Sequence, residues 1–317
     1  MKLIIFDDFA INSGDLNWKN FYNLPLEIEQ YAYISREEQL QKIKNADLII
    51  INKVLIDKEL LDHAPKLKYI GIIATGTDNI DLAECAKRNI VVSNVPNYSS
   101  DSVAQLTISL LLQLCRSTSN YYNSVKDGYW RTNIPEEYNI AKQIELSNKT
   151  IGLIGYGDIA KSVCKIAIAL NMKVLVYART KRENTQDITF VDLEELLNRS
   201  DVISLHCPCT DETYEIINEN TISKMKDEVI LINTSRGRLV NETDLVKALN
   251  IGKIHAFGSD VLAVEPMEEN SPFKKTPNTV ITPHIAWATN EALERLMIIT
   301  EKNLEMFLAG TPQNKVN

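Results

Sequence analysis

Three side chains in the second half of this chain have the types and placement to act together on one small substrate. Arg236 stands in Asn233-Thr234-Ser235-Arg236-Gly237, directly after the apolar run 229–232. His284 stands in Thr282-Pro283-His284-Ile285-Ala286-Trp287, after Val280-Ile281. Glu265 stands in Asp260-Val261-Leu262-Ala263-Val264-Glu265-Pro266, after the run 256–259. A guanidinium grips a carboxylate through paired hydrogen bonds and polarises a neighbouring carbonyl. Histidine is the side chain best suited to pass a proton near neutral pH. An acid beside it orients the ring and favours the imidazolium form. All three follow candidate strands, and open α/β sheets bind ligands beyond the carboxyl ends of their strands. The chain has four histidines, His63, His206, His255 and His284. His206 follows the run 201–205 and is as well placed by pattern as His284, so spacing does not choose between them.

A second constellation is Ile151-Gly152-Leu153-Ile154-Gly155-Tyr156-Gly157-Asp158-Ile159-Ala160. Gly155, Gly157 and Ala160 fit the dinucleotide motif that closes in Gly or Ala, at a strand-to-helix turn as the motif requires. Gly155 makes the tight turn, Gly157 lets a pyrophosphate approach the backbone, and Ala160 allows close helix–strand packing. The cofactor set therefore runs through Gly155, Tyr156, Gly157, Asp158 and Ile159, with helix N-terminal amides holding phosphate. The following strand ends Tyr177-Ala178-Arg179-Thr180-Lys181-Arg182. An acid is usual here to grip a ribose 2′-hydroxyl, but this chain offers Ala178. Arg179 and Arg182, with Thr180 and Lys181 between them, suit a 2′-phosphate instead. NADP(H) is expected, with NAD(H) as the alternative. A bound nicotinamide, a cation for a carboxylate and a proton donor at a keto oxygen are what reduction of a 2-keto acid needs. Asp260, at its strand end, is expected to reach the nicotinamide carboxamide.

The elements that must position these groups alternate short apolar runs with helical patterns, which reads as α/β with parallel sheets. Strands are predicted at 2–6, 47–51, 69–73 and 90–92, with helices around 36–44, 57–63 and 81–88. A polar junction at 97–102 leads into a long helix carrying Val103, Leu106, Leu110, Leu111 and Leu114. A polar, aromatic stretch at 121–138 reads as surface or interface. The second series has strands at 150–154, 173–177, 201–205, 228–232, 254–258 and 279–281, and helices at 159–170, 192–199 and 243–250. A last helix runs from 290 to about 308, and 311–317 read as a frayed tail. In the first series Gly76, in Ile73-Ala74-Thr75-Gly76-Thr77-Asp78-Asn79, can expose backbone N–H groups to a carboxylate. Lys53 is the natural cation beside it. Groups from both series on one substrate imply a cleft that closes and excludes water.

Composition bounds the rest. The 317 residues suit two domains. Lys and Arg number 34 against 42 Asp and Glu, and a net charge of -8 argues against nucleic-acid or anionic-membrane partners. The five cysteines are an odd count, mostly within apolar runs, which fits reduced thiols and a cytoplasmic protein. Cys207-Pro208-Cys209 has no further ligands at metal spacing, so no metal is expected. The apolar start is too short for a signal peptide, and no run of 18 uncharged apolar residues would span a membrane.

Together these segments resemble the D-isomer-specific 2-hydroxyacid dehydrogenases along nearly the whole chain, and within them the hydroxypyruvate reductase or glycerate dehydrogenase branch. The resemblance rests on Asn52-Lys53-Val54, on 74–81, on 98–105, on 152–160, on Ser204-Leu205-His206-Cys207-Pro208, on 233–237, on 258–266 and on 283–288. It implies two Rossmann-like domains, a cofactor-binding domain and a smaller flavodoxin-like substrate domain, with the active-site cleft between them. It implies a discontinuous substrate domain, 1–98 and 288–317, around a cofactor domain at 99–287. It makes His284 rather than His206 the acid–base group, Arg236 the substrate-binding arginine and Glu265 the orienting acid. Lys53, Thr75, Gly76 and Trp287 become substrate contacts. Thr234, Asp260, Cys207 and Pro208 join the cofactor set. The implied enzyme reduces hydroxypyruvate or glyoxylate, and is a homodimer joined through the cofactor domain. Rivals within the resemblance are a dehydrogenase for 3-phosphoglycerate or D-lactate and a non-catalytic protein that senses dinucleotide. Ala160 for the more usual Gly and Ala178 for the usual acid are the departures.

Overall fold

The computed structural model describes residues 1–7, 18–130, 140–180 and 182–317. Lys181 and the last part of the stretch 121–138 lie outside the described residues. The chain forms two compact units, Met1–Ser99 with Trp287–Asn317, and Ser100–Ala286. No helix among the described residues is long and apolar enough to cross a membrane.

The first unit is built on β1 (Lys2–Ile5), β2 (Glu27–Gln30), β3 (Leu48–Ile51), β4 (Tyr69–Ile72) and β5 (Val91–Ser93), ordered β2-β1-β3-β4-β5 and all parallel. Its helices are α1 (Arg36–Lys42), α2 (Lys58–Asp62), α3 (Leu82–Lys87) and a long last helix, Asn290–Leu308. Strands covered on both faces read as unbroken apolar runs, and successive residues divide between the faces. Ile4, Ile49, Ile51, Ile70 and Ile72 join one core with Leu60, Leu61 and Cys85 of α2 and α3. Leu3, Ile5, Leu48, Ile50 and Tyr69 join the other with Ala292, Leu293, Leu296 and Leu304 of the last helix. Side-chain caps fix the short helices: Ser35 and Glu38 form a capping box on α1, and Asp57 and Asp81 cap α2 and α3. Strand β2 escapes sequence reasoning because Glu27-Ile28-Glu29-Gln30 has one apolar residue, as an edge strand paired on one side can.

The second unit follows α4 (Ser100–Arg116) and α5 (Thr118–Lys126) with β6 (Thr150–Ile154), α6 (Asp158–Ala169), β7 (Lys173–Tyr177), β8 (Ile188–Phe190), α7 (Leu193–Arg199), β9 (Val202–Leu205), α8 (Glu219–Ser223), β10 (Val229–Asn233), α9 (Glu242–Asn250), β11 (Ile254–Ser259) and β12 (Thr279–Ile281). The Asn290–Leu308 helix of the first unit is α10. The sheet order is β12-β11-β10-β9-β6-β7-β8, all parallel. The chain starts in the middle at β6, winds outward through β7 and β8, then returns to β9 on the other side. The strand ends of β6 and β9 therefore form the topological switch point where such sheets bind ligands. Strand β8 was not predicted; it is a three-residue edge strand set by a turn in which Asn184 Oδ1 accepts from Phe190 N–H at 2.7 Å. Helix α5 occupies the start of the polar stretch and buries none of its residues.

The expected frayed tail is instead pinned to the first unit. Val316 N–H donates to Val92 O at 2.9 Å, and Lys315 pairs antiparallel with Ser93. Asn317 bridges the β5 backbone, accepting from Val92 N–H at 2.9 Å and donating to Ile90 O at 2.6 Å. Polar composition hid this, because the tail is held through main-chain and amide hydrogen bonds rather than apolar burial. Deleting residues 311–317 is expected to destabilise the protein by about 2 kcal/mol or more, from several lost hydrogen bonds of about 1 kcal/mol each. Urea unfolding checks this, and an unchanged midpoint would show that the tail contributes nothing.

Candidate active site and dinucleotide cradle

At the end of β6 the chain turns through Gly155, whose φ of +103° suits glycine. Its N–H donates to Tyr177 O at 2.8 Å, and a Cβ built on it would lie 2.5 Å from the His206 carbonyl oxygen. Only glycine lets the β6 and β9 ends approach this closely. Gly157 then caps α6 in an extended conformation without a side-chain hydrogen bond. A Cβ on Gly157 would meet no protein atom within 4 Å. The protein's own packing thus leaves open space in front of the first-turn amides of Asp158 and Ile159, which have no intrahelical acceptors. Ala160 is fully buried against the sheet core. The Asp158 carboxylate pairs with Lys161 at 2.7 Å. A glycine-walled recess before a helix N-terminus fits the pyrophosphate of a dinucleotide.

Beyond β7, Ala178 is half-buried against the same core, while Arg179, Thr180 and Arg182 are exposed. The Arg182 guanidinium lies 5.2 Å from the ring centre of Tyr156, whose ring meets Phe190 edge-on at 5.1 Å. A cation is thereby held over the glycine turn. Neither Arg179 nor Arg182 forms an ion pair with an acid among the described residues. On the other side of the turn, Cys207 is buried, and burial pushes its thiol up to about 11, so it is neutral at pH 7. Pro208 is exposed and Cys209 half-buried. The His206 ring lies 2.9 Å from the hydroxyl of Ser204, which is fully buried. Burial pushes this imidazole down to about 4, leaving it neutral. The structure therefore gives His206 and His284 different surroundings, which spacing could not.

The ends of β10, β11 and β12 carry the acid–base candidates. Ser235 donates to Cys207 O at 2.6 Å, tying this segment to the cradle. Asn233 is buried and donates to Arg236 O at 2.9 Å, which sets the extended backbone of Arg236. Arg236 is half-buried and its Nη1 donates to Ser235 O at 2.9 Å. The Thr234 hydroxyl lies 2.7 Å from that of Thr107 on α4. Gly237 allows a second close approach: a Cβ there would stand 1.9 Å from the Leu262 carbonyl carbon. The Arg236 segment is thus stacked on the loop that carries Glu265.

Glu265 Oε2 lies 2.7 Å from His284 Nδ1, and Glu265 Oε1 accepts from Leu262 N–H at 3.0 Å. A carboxylate only accepts, so Nδ1 carries the proton. His284 sits at a φ of +56°, in the left-handed region that non-glycine residues adopt sparingly. Its loop is held there by Asp260, which is buried and accepts from Thr282 Oγ1 at 2.5 Å, Ile285 N–H at 2.9 Å and Ala286 N–H at 2.8 Å. These bonds make Asp260 a clamp on the His284 loop, a use that sequence reasoning missed. Ser102, at the start of α4, donates to Ala286 O at 2.5 Å.

In the first unit, Asp7 organises the Lys53 loop. Its carboxylate accepts from the N–H groups of Asn52 at 2.9 Å, Val54 at 3.0 Å, and Lys53. Burial nevertheless raises the Asp7 carboxyl above its ordinary value. Asn79 donates to Asn52 O and Val54 O from the far side. Lys53 itself is exposed. Thr75 donates to Val95 O at 2.9 Å and accepts at its own carbonyl from Asn94 at 2.7 Å, which fixes the backbone beside Gly76. Trp287 packs half-buried against the core that includes Leu293 and Leu296. Sequence reasoning missed Asp7 as well as the clamp at Asp260. An acid directly after an apolar strand, positioned to cap the next loop, was the signal in both.

The family described as D-isomer specific 2-hydroxyacid dehydrogenase, NAD binding domain, matches residues 108–286. The chain is 40% identical over 321 residues to a hydroxypyruvate reductase of Blautia hydrogenotrophica, covering 100% of both. It is 38% identical over 298 residues to a glycerate dehydrogenase of Methylorubrum extorquens, covering 93% of each. Among solved structures, an acyclic imino acid reductase in complex with NADPH and D-Arg superposes with a TM-score of 0.89 at 32% identity, over 100% of both chains.

The desolvated, half-buried His206 gives this region a pH signature. Unfolded, the ring titrates near 6.5; folded, near 4. Between those values the unfolded chain binds a proton that the native state refuses. The contribution is present above pH 6.5 and is lost as pH falls toward 4, at no more than about 1.4 kcal/mol per pH unit. Urea unfolding from pH 7 to 4.5 is expected to show a shallower pH dependence for His206→Gln than for the wild type. Parallel pH profiles would sink the assignment.

Proposed function

Because the chain belongs to the D-isomer-specific 2-hydroxyacid dehydrogenases, we propose that it reduces hydroxypyruvate or glyoxylate, using NADPH in preference to NADH. As a member it is an oxidoreductase acting on a CH–OH group, with a nicotinamide dinucleotide as cofactor and a small 2-hydroxy or 2-keto acid as substrate. The cofactor, when bound, supplies or accepts the hydride.

The observation that carries the acid–base reading is the 2.7 Å contact between Glu265 and His284 Nδ1. With Nδ1–H committed to the carboxylate, His284 Nε2 gives a proton to the keto oxygen in reduction and takes one in oxidation. Glu265 offsets the positive charge that the ring acquires before it donates. Arg236 binds the substrate carboxylate and polarises the carbonyl next to it. Lys53 and the backbone at Thr75 and Gly76 bind further substrate oxygens, with Trp287 as an apolar wall. Hydroxypyruvate and glyoxylate suit this set because both are short and polar.

For the cofactor, the backbone of 155–159 holds the pyrophosphate, and Cys207 and Pro208 line the adenosine side. Ala178 leaves no carboxylate to repel a 2′-phosphate, and Arg179 and Arg182 are at hand to bind it. Exposed Leu112, Tyr122 and Val125 on α4 and α5 support a homodimer joined through this unit, which sedimentation would test. Five free cysteines, four of them buried, suit a reducing compartment such as the cytoplasm.

A steady-state panel of hydroxypyruvate, glyoxylate, pyruvate and phosphohydroxypyruvate, each with NADPH and with NADH, tests the reading. Hydroxypyruvate or glyoxylate with NADPH is expected to give the highest kcat/KM, and His284→Asn to lower kcat about 100-fold or more while dinucleotide binding is kept. Absence of turnover across the panel, with tight dinucleotide binding, would instead favour a sensing protein. Ala178→Asp combined with Arg179→Ser is expected to move the preference toward NADH. If NADH is already preferred by the wild type, the reading of the basic run fails.

A further inference from the structure

The loop that delivers Glu265 is poorly packed beyond its root. Val264 is 57% exposed and Met267 40% exposed. Two contacts hold its root from the segment after β10. One is the close approach of Gly237 to the Leu262 backbone. The other is a hydrogen bond from Ala263 N–H to Glu242 Oε1 at 2.8 Å. Glu242 opens α9, whose N-cap Asn241 accepts from Asp244 N–H and whose Leu245, Ala248 and Leu249 are buried. The anchor is therefore a carboxylate on a fixed helix start. An acid in a first helical turn ordinarily serves its own helix, but this one reaches across to another loop.

We propose that Glu242 is a positioning residue for proton transfer: by accepting from Ala263 N–H it holds Glu265 against His284 and so fixes the Nδ1–H tautomer of that ring. The connection is continuous. Glu242 holds Ala263, the next-door Leu262 N–H holds Glu265 Oε1, and Glu265 Oε2 holds His284 Nδ1. The mechanistic consequence rests on His284 being the acid–base group; the tautomer consequence does not. A one-ångström drift of Glu265 would leave Nδ1 without its acceptor and allow the proton to move to Nε2, where it blocks proton uptake.

The test has two readouts. Long-range proton–nitrogen NMR of the ligand-free protein reads the tautomer of each of the four histidines, with the His284 signals assigned by their loss in His284→Asn. The wild type is expected to show the Nδ1–H form, Glu242→Ala a shift toward Nε2–H, and Glu242→Gln the wild-type form, since an amide oxygen still accepts. Glu242→Asp keeps the charge but shortens the reach, so it should behave as Ala does and serves if the Ala variant fails to fold. In turnover, Glu242→Ala should lower kcat about 10-fold with KM and dinucleotide affinity unchanged. Added to Glu265→Gln it should cost nothing more. An unmoved His284 tautomer in both Ala and Asp variants would overturn the proposal, as would a Gln variant that behaves like Ala. If the wild type turns over no keto acid, the functional reading fails while the NMR readout still decides the role of Glu242.

Discussion

A carboxylate beside an imidazole does little by itself when water reaches both. The Glu265 and His284 side chains are 34% and 37% exposed, so charge attraction alone would not keep them together. Their contact depends on the stiffness of the two loops that present them. Asp260 removes the freedom of one by taking three donors from residues 282–286. Gly237 and Glu242 restrain the root of the other. Gly237 where two segments touch, the buried Asp260 where a loop leaves the sheet, and His284 at positive φ all serve this end.

The parallel sheet makes such economy of position possible. Every strand of the second unit points the same way, so the segments after β6, β9, β10, β11 and β12 all emerge along one edge. They are stitched to one another in that order, Gly155 on His206, Ser235 on Cys207, Gly237 on Leu262, and Glu265 on His284. The dinucleotide cradle and the proton-transfer pair are therefore parts of one connected backbone framework.

The interior strands were legible because burial on both faces demands continuous apolar runs, and β3, Leu-Ile-Ile-Ile, has no other reading. The edge strands β2 and β8 were not, since one paired side leaves polar residues free to intrude. Arg236, Glu265 and His284 were legible as strand-end polar residues, but their pattern was shared with His206. What marks His206 is desolvation, which is a property of the folded surroundings and has no linear signal. The same limit applies to Asp7, Glu242 and Asp260. Their main-chain N–H partners lie 21 to 47 positions away, and a backbone amide looks alike at every residue.

The first unit's sheet has two edge strands, β2 and β5. At β2 the edge strand carries Glu27 and Glu29, which pair with Lys2 of the neighbouring β1. At β5 the last residues of the chain lie alongside and occupy main-chain groups of Val92 and Asn94. An uncovered ladder is a template on which another chain can add a strand. The polar C-terminal segment therefore acts as a guard against intermolecular sheet growth, and its contribution to solubility is separate from anything it adds to the stability of a single molecule.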